Sequence, residues 1–557
     1  MENKTISRTL RLFSQLLDLY DENPFKVRSI ANAAFKIDKL PFPIASKSLE
    51  EMSTMEGVGK STAVKIDELI QNGSISELDN LIESTPPGVL EILQIKGIGP
   101  KKVAVIWKDL GIESVGELLY ACNENRLIEA KGFGLKTQEE ILKVIEFKMA
   151  SNGRMLYAKV ESIAEKLILD LKNAFPNLAI SISGDYRRRM EIIDQVDVLI
   201  GQLAIDFKSA HLPVGLKIVL DEKNFMQSEE GVNFQFHFCH NADFGWELIR
   251  TTGNAAHVNN LEKLLIDKPV SGKSELEIYQ MAGLDFIEPE LREGNLEIEQ
   301  ASKQQLPVLI KLSDLKGSLH NHSTWSDGVH TLEEMALFCR DQLKLEYLGI
   351  CDHSKSAFYA NGLNEIRVAA QHREIDKLNQ LLAPFRIFKG IESDILYDGS
   401  LDYSNEVLAS FDFVAASVHS VLKMTEEKAT ERLIKAIENP YTTILGHPTG
   451  RLLLSRSAYP IDHQKVIDAC AANGVVIEIN ANPLRLDLDW RWHQYALEKG
   501  VMLAINPDAH RTEGFYDMYY GVLVGRKGGL SKEMCLNSFD VNRITTFFES
   551  KKAKQLL

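Results

Sequence analysis

The C-terminal half of the chain is organised around one stretch, which reads Leu319-His320-Asn321-His322-Ser323-Thr324-Trp325-Ser326-Asp327-Gly328. An apolar run over residues 309–315 and a Gly-Ser step at 317–318 precede it, which is the pattern of a strand ending in a loop. Residues i and i+2 of a strand point to the same side, so His320 and His322 can reach one metal ion together. Asp327 follows on the loop, where it could serve a neighbouring ion. Two histidines on one strand face are also compatible with simple packing, so this motif needs support from the rest of the chain.

That support comes from residues 314–557, where apolar strands alternate with helical segments and His, Asp or Glu residues stand at the strand ends. The further strand ends carry His353, Glu392, His419, His447 and Asp508-Ala509-His510. Such alternation, with functional groups at C-terminal strand ends, predicts a TIM-like barrel that is active at that face. Any one of these histidines could be a hydrogen-bonded core residue, but nine His, Asp and Glu at six strand ends favour a polynuclear metal site.

The first 150 residues are helical in pattern and contain a glycine signal three times. The three copies are Gly57-Val58-Gly59-Lys60, Gly97-Ile98-Gly99-Pro100-Lys101 and Gly132-Phe133-Gly134. Glycines allow a tight turn and close backbone approach, and a helix N-terminus directs its amide groups toward an anion. Such a device grips a phosphate backbone without reading bases. Plain helix–helix turns are the alternative, and three copies with nearby lysines favour DNA binding.

Composition sets the outer limits on the class of protein. At 557 residues the chain should hold several domains, and 45% apolar with 25% charged residues is typical of a globular protein. We expect no membrane span, no signal peptide, and six free thiols in a reducing cytoplasm, because there is no long apolar run and no Cys-x-x-Cys pair. The net charge of −15 argues against a generic polyanion binder but does not exclude a nucleic-acid enzyme.

The three glycine turns closely resemble helix-hairpin-helix motifs. Residues 1–80 also resemble the N-terminal lyase domain of family X DNA polymerases, in Asn23-Pro24-Phe25-Lys26-Val27-Arg28 and the first hairpin. In that family a lysine of the helix after this hairpin forms a Schiff base with the 5′-deoxyribose phosphate, and Lys65 stands at the matching position. Such a lysine needs its pKa lowered by burial or by cationic neighbours, so a solvated helix lysine remains the alternative.

Residues 151–300 resemble the nucleotidyltransferase palm and thumb of the same family. The family's palm uses three carboxylates to hold two Mg²⁺ ions, whereas this chain has Gln195 at the first position, Asp197 at the second and Gln235 at the third. Asp185 replaces the phosphate-binding serine. A neutral amide ligates Mg²⁺ poorly, so we expect no tight Mg²⁺ site here and a palm retained as a scaffold.

The C-terminal region resembles, motif by motif, the polymerase-and-histidinol-phosphatase (PHP) domain. The resemblance implies nine ligands for three divalent ions, Zn²⁺, Mn²⁺ or iron. It implies one ion on His320, His322, Glu392 and Asp508, a second on Glu392, His419 and His447, and a third on Asp327, His353 and His510. Imidazole with carboxylate suits these metals better than Mg²⁺. Arg451 and Lys355 are further candidates, as positive charges near a phosphate.

The fold class we predict is therefore multidomain α+β and α/β. Its parts are a helical lyase-like domain with a hairpin (1–82), a fingers-like hairpin domain (83–150), a palm and thumb (151–300), a linker (301–313) and a distorted β/α PHP barrel (314–557). The order matches bacterial family X polymerases. It implies a monomeric DNA-repair phosphoesterase, a metal-dependent 3′–5′ exonuclease with abasic-site or 3′-end processing, on gapped or nicked duplex.

Three alternatives stay open at this point. The first is a working gap-filling polymerase with an exonuclease, which would need carboxylates not recognised in the palm. The second is a small-molecule phosphatase similar to histidinol phosphatase, against which the three hairpins argue. The third is a non-catalytic DNA-binding scaffold, against which the complete ligand set argues.

Overall fold

The structure is a computed structural model, and it describes residues 1–95, 97–128, 130–150, 153–204, 216–217 and 224–554. The chain divides into two compact units, Met1–Phe147 and Lys148–Leu557. In the described ranges no helix is both long and apolar enough to cross a membrane.

The first unit is built from short helices whose starts are marked by capping residues. Ser48 and Ser114 accept hydrogen bonds from the backbone N–H of the third helical residue, and prolines occupy first-turn positions at residues 24, 87 and 100. Its helices are α1 Asn3–Leu19, α2 Pro24–Asp38, α3 Leu49–Thr54, α4 Lys60–Asn72, α5 Ser76–Glu83, α6 Pro87–Leu93, α7 Pro100–Ala104, α8 Val115–Asn123 and α9 Leu135–Ala150.

The residues predicted to form the palm and thumb begin the second unit. They contain a five-stranded sheet in the order β2-β4-β7-β6-β5, in which β4 and β7 are parallel. The elements are β1 Met155–Leu156, α10 Tyr157–Ala174, β2 Ile180–Ser183, α11 Gly184–Arg187, β3 Ile192–Ile193, β4 Val196–Ile200, β5 Leu216–Lys217, β6 Phe225–Ser228, β7 Asn233–Phe238, α12 Phe244–Thr252, α13 Ala255–Leu264, α14 Glu275–Ala282 and α15 Glu297–Ser302.

The barrel follows as seven parallel strands in sequential order from β8 to β14, with helices between them. All of these strands except β10 are fully buried runs, such as Phe-Val-Ala-Ala-Ser at 413–417, which is what a sheet covered on both faces requires. The elements are β8 Gly317–Ser318, α16 Leu332–Asp341, β9 Tyr347–Ile350, α17 Glu365–Leu382, β10 Arg386–Asp394, α18 Asn405–Leu408, β11 Phe413–Ser417, α19 Glu426–Ile437, β12 Ile444–Leu445, α20 His463–Asn473, β13 Val476–Asn480, α21 His493–Glu498, β14 Leu503–Asn506, α22 Met518–Lys527 and α23 Val541–Lys554.

The first and last barrel strands meet along a seam held by asparagines. Asn321 and Ala509 form a parallel bridge beyond the strand ends, and the His322 amide donates to the Ala509 carbonyl at 2.8 Å. Below it, buried Asn537 donates to the Gly317 carbonyl at 3.1 Å and accepts from the Ile505 amide at 2.8 Å. The barrel is thereby nearly closed, as the TIM-like prediction requires.

Two smaller expectations have different outcomes. The apolar run over 309–315 does not belong to the first barrel strand, because Leu312–Asp314 form a 3₁₀ turn and β8 is only Gly317–Ser318. Leu309 instead forms a bridge with Ser531, and the Ile310 amide donates to the Leu530 carbonyl at 2.9 Å, so this run pairs with the chain that follows α22. The prediction of free cysteines is confirmed, since all six are unpaired and buried.

The seam gives a first prediction. Asn537→Ala leaves the backbone groups at Gly317 and Ile505 buried without their side-chain partner, and each such loss costs about 1–3 kcal/mol. We expect a clear fall in the thermal and urea midpoints of the full chain. Asn405→Ala, at an exposed asparagine of α18, is the matched control and should leave both midpoints unchanged. Equal midpoints for the two variants would contradict this account of the seam.

Candidate metal centre

All nine predicted ligands come together at the carboxyl end of the barrel. Each follows or ends a strand, and each side chain is at most 6% exposed. The extended backbone after β8 places the His320 and His322 rings side by side, with centroids 5.3 Å apart. His320 and His322 therefore lie on the same side of the chain, as their i, i+2 spacing predicts.

Glu392, at the end part of β10, occupies the middle of the cluster. Its Oε1 lies 2.9 Å from His447 Nε2, 3.1 Å from His419 Nε2 and 3.2 Å from His320 Nε2. Its Oε2 lies 3.0 Å from His353 Nδ1. One carboxylate thus faces four imidazoles from four different strand ends, which is the arrangement expected of a bridging ligand.

The two aspartates border the same cavity on either side of His322. Asp508 Oδ1 lies 3.0 Å from His322 Nε2, and Asp327 Oδ1 lies 3.4 Å from His510 Nε2. Four combinations of donor atoms drawn from the barrel alone lie close enough to share an ion. They are His322 with Asp327, His353 and His510; His320 with His447 and Asp508; His320 with His322 and Glu392; and His353 with Glu392 and His419. His322 thus stands with the Asp327 group as well as with His320, so the division among three ions implied by the resemblance stays a prediction.

The donor set fits divalent cations on electrostatic grounds. Burial alone would raise the pKa of Glu392, but His419, His320 and His353 hold it well below its usual range. Burial alone would lower the pKa of His419, yet Glu392 and Asp394 raise it to about 9. Buried ionised carboxylates need cationic partners, which imidazolium groups or bound divalent cations can supply.

Buried nitrogen and oxygen atoms that lack a hydrogen bond also favour a metal ion at this site. Within the described part of the chain, His320 Nε2, Asp327 Oδ2 and His353 Nε2 are buried and make no hydrogen bond. Native interiors rarely leave such atoms unsatisfied, and coordination of a metal ion would satisfy all three. Imidazole and carboxylate donors together suit Zn²⁺, Mn²⁺ or Fe²⁺.

Two buried carboxylates outside the predicted set orient the histidines. Glu478 accepts from His320 Nδ1 at 2.7 Å and from the His447 amide at 2.7 Å, and Asp394 pairs with His419 Nδ1 at 2.5 Å. Each leaves Nε2 of its histidine facing Glu392. The sequence contained a usable signal for Glu478, since a charged residue inside the apolar strand Val-Ile-Glu-Ile-Asn must find a buried partner.

Arg451 and Lys355 are engaged elsewhere. The Arg451 guanidinium pairs with Asp489 and donates to the Arg485 and Leu486 carbonyls, so it holds a loop together. Lys355 pairs with Glu365 at 2.8 Å on the surface. Neither contact directs the positive charge into the cavity.

The predicted palm positions form a hydrogen-bonded cluster around one carboxylate, that of Asp197. Asp197 and Gln235 are register partners on β4 and β7, so the second and third predicted palm positions lie side by side. Asp197 Oδ1 accepts from Gln195 Nε2 at 2.9 Å and lies 2.8 Å from His237 Nε2. Asp194 pairs with Arg154 at 2.9 Å and is mostly exposed, so it does not replace the missing carboxylates.

The arginines beside the palm are also occupied. Arg187 forms a two-pronged pair with Glu275 at 2.9 and 2.5 Å. Arg188 pairs with Asp185 and with Glu293, the latter at 3.0 Å. Burial raises the pKa of Asp185, with Arg188 opposing it.

The three glycine turns share one geometry. The first glycine of each has a left-handed φ, at +86° for Gly57, +94° for Gly97 and +87° for Gly132. The second glycines Gly59 and Gly99 are helix N-caps with extended backbone, and a Cβ added at either would meet nothing within 4 Å. Gly134 is equally open. Nothing inside the described chain requires glycine at these second positions, so they leave room for an external partner.

The lysines around the turns have different environments. Lys60 and Lys101 are exposed at the starts of α4 and α7, whereas Lys96 of the second copy lies outside the described residues. Lys65 Nζ lies 3.4 Å from both Glu68 and Glu77. Lys65 is thus paired with two carboxylates, and its role as a Schiff-base nucleophile stays a prediction.

The orienting carboxylates generate the second prediction. Glu478→Gln keeps the size of the side chain but leaves either His320 or the His447 amide without an acceptor, and Asp394→Asn acts likewise on His419. We expect a loss of about 10–100-fold in affinity for Zn²⁺ or Mn²⁺, measured by competition with a chelator. Glu333→Gln, at an exposed glutamate of α16, is the control. Unchanged affinity in both test variants would show that these carboxylates do not orient ligands.

The second glycines of the turns, where a side chain would meet open space, generate the third prediction. Gly99→Ala should keep the melting temperature but weaken duplex binding and reduce the slope of log K against log salt by about 1, the value for one lost phosphate contact. Gly97→Ala should lower both stability and binding, because its left-handed φ disfavours a side chain. Full binding by Gly99→Ala would argue against phosphate contact at this turn.

Comparison with known proteins places these observations in a family. A helix-hairpin-helix domain matches residues 1–75, and a SAM-like helix-hairpin-helix tandem matches residues 89–146. The DNA polymerase/3′-5′ exonuclease PolX of Bacillus subtilis is 33% identical over 99% of this chain and its own full length.

The barrel has further relatives on its own. A probable phosphatase of Acetivibrio thermocellus is 28% identical over 42% of this chain and 95% of its own length. A probable phosphatase of Caldicellulosiruptor saccharolyticus is 30% identical over 35% of this chain and 80% of its own length. With the full-length match and the two hairpin domains, these likenesses lead to one conclusion: the chain belongs to the bacterial family X DNA polymerases that carry a C-terminal PHP domain.

Proposed function

We propose that this protein is a DNA-processing phosphoesterase, a metal-dependent 3′–5′ exonuclease whose reaction takes place in the barrel. One observation carries the proposal. Nine histidines and carboxylates converge on one buried cavity in the barrel, whereas the palm keeps only Asp197 of three expected carboxylates. Trimming of 3′ ends and cleavage at abasic sites belong to the same phosphodiester chemistry.

The nine residues would hold three divalent ions, Zn²⁺ or Mn²⁺ or iron. Such ions activate water near neutral pH and stabilise charge on phosphate oxygens. Around them, Glu478 and Asp394 fix His320 and His419 with Nε2 toward the cavity. The strand ends bury the carboxylates, so every charge in the cavity acts with little screening by water.

The hairpin unit would grip the substrate through its phosphate backbone. Three open helix N-termini behind left-handed glycines favour binding that is independent of sequence. Gapped or nicked duplex, bound by a monomer, is the substrate we propose, since it offers a 3′ end together with a backbone on which the hairpins can act.

Polymerisation in the palm is not part of this proposal, and neither is a Mg²⁺ pair there. Asp197 is already satisfied by Gln195 and His237, and Arg187 and Arg188 are neutralised by Glu275 and Glu293. A triphosphate would have to displace these buried pairs, which costs several kcal/mol when one partner is left unpaired.

The test uses the purified protein with Mn²⁺ and a 5′-labelled gapped duplex, with and without dNTPs. We expect shortening of the primer that His320→Ala abolishes and Asp197→Ala leaves intact, because only His320 belongs to the barrel cluster. Primer extension that Asp197→Ala abolishes would overturn the account of the palm and restore a gap-filling polymerase.

A small-molecule phosphatase is the second candidate, favoured by the match of the barrel to probable phosphatases along most of their own length. The same preparations distinguish it with a phosphate monoester such as histidinol phosphate. Hydrolysis of the monoester without any cleavage of DNA would favour the phosphatase. Absence of both activities would favour a DNA-binding scaffold.

A further inference from the structure

The exposed apolar side chains of the barrel are distributed unevenly. Among the described residues from Gly317 onward, seven large apolar side chains are exposed, and six of them follow the carboxyl ends of strands. The six are Val329, Phe358, Ile366, Tyr397, Val421 and Tyr516. The seventh, Leu381, lies at the far end of α17. Scattered exposed apolar residues are ordinary, but their concentration at the carboxyl end of the barrel strands indicates a binding surface.

Phe358 is the most exposed of these side chains, at 88%. It begins the 3₁₀ turn Phe358–Ala360 in the connection between β9 and α17. Its neighbours Ala357 and Ala360 are buried. The turn therefore presents one aromatic ring to solvent from an otherwise packed loop.

The loop that carries Phe358 is anchored to the metal centre at several points. The Leu363 amide donates to the His353 carbonyl at 2.8 Å, and the Tyr359 ring lies 6.2 Å from the His353 ring. Ser356 Oγ donates to Asp394 Oδ2 at 2.8 Å, and Asp394 is the carboxylate that orients His419. The loop that carries Phe358 is thus held beside His353 and, through Asp394, beside His419, two of the proposed ligands.

We propose that Phe358 stacks on the nucleobase of the nucleotide whose phosphodiester enters the metal cavity. This inference rests on the proposed nuclease function and identifies a specificity-determining residue for it. A nucleotide combines a charged phosphate with an apolar base face, and this end of the barrel combines a buried polar cavity with an apolar rim. Base–aromatic stacking tolerates every base, so it suits an enzyme that must process any sequence.

The rim also bears on the phosphatase alternative. A small polar phosphate monoester gains nothing from an exposed phenyl ring, whereas a strand end gains apolar burial from it. Phe358 would therefore raise kcat/KM for substrates that carry a base next to the scissile phosphate, and would leave phosphate hydrolysis itself unchanged.

The experiment crosses one protein change with one substrate change. Wild type, Phe358→Ala, Phe358→Trp and Leu381→Ala are assayed with Mn²⁺ on two 5′-labelled strands. One strand ends in a 3′ thymidine, and the other ends in a tetrahydrofuran residue that lacks the base. Leu381→Ala removes another exposed apolar side chain, from the other end of α17, and is the matched control.

On the thymidine strand we expect Phe358→Ala to lower kcat/KM about tenfold, in the range expected for the loss of one stacking contact. On the tetrahydrofuran strand the same variant should equal the wild type. Phe358→Trp should retain the preference for a base, and Leu381→Ala should change neither rate. All melting temperatures should agree, because both positions are exposed.

Three results would overturn the inference. Equal loss on both strands would mean that the ring supports the metal centre rather than the base, and no loss on either would mean that it does not contact substrate. A wild type that cleaves neither strand would remove the proposed nuclease function as well, which separates that failure from a failure of Phe358 alone.

Discussion

The barrel depends on a set of carboxylates that cannot stay buried without positive charge beside them. Glu392 is surrounded by His320, His353, His419 and His447, and its pKa is held well below its usual range against the effect of burial. Removing one cation from such a cluster leaves an uncompensated charge, which is among the most costly changes a fold can suffer. The carboxylates can therefore be compensated either by metal ions or by protonated histidines. Binding of metal should accordingly release protons from the histidines.

Closure of the barrel is what brings these charges together. His320 and His322 follow the first strand, while Asp508 and His510 follow the last, so the cluster exists only where the two ends of the sheet meet. The seam relies on Asn321 and Asn537 rather than on a long strand ladder. Because the seam is short and made by side chains, the loops that carry the proposed ligands can turn inward. A longer strand ladder would hold the backbone of these loops in the sheet.

From the sequence, the residues that converge at the barrel end could be predicted better than the structure that supports them. His-x-His after a strand and His or Asp at successive strand ends identify a site, because residue type and position both carry the chemistry. The prediction of β8 was too long, since Leu309, Ile310 and Leu312 have the composition of a strand but lie outside it. The asparagines of the seam follow no periodic pattern in the sequence. Asp394 lies on the same strand end as Glu392, and only Glu392 of that strand was predicted from the sequence to be a ligand. Contacts between distant segments have no local signature, so they became visible only in three dimensions.

The palm raises the question of why a domain with a depleted carboxylate set is part of the chain. Its core includes Leu523 of the barrel helix α22, and Tyr519 and Tyr520 pack against the same core. Glu293, which neutralises Arg188, also pairs with Lys527 from α22, whose side chain is fully buried. Arg188, which would otherwise attract a triphosphate, is thereby connected to the barrel through Glu293 and Lys527. Loss of the palm would expose an apolar helix face and strand a buried lysine, so the barrel needs the palm for its packing even where no polymerase chemistry is expected of it.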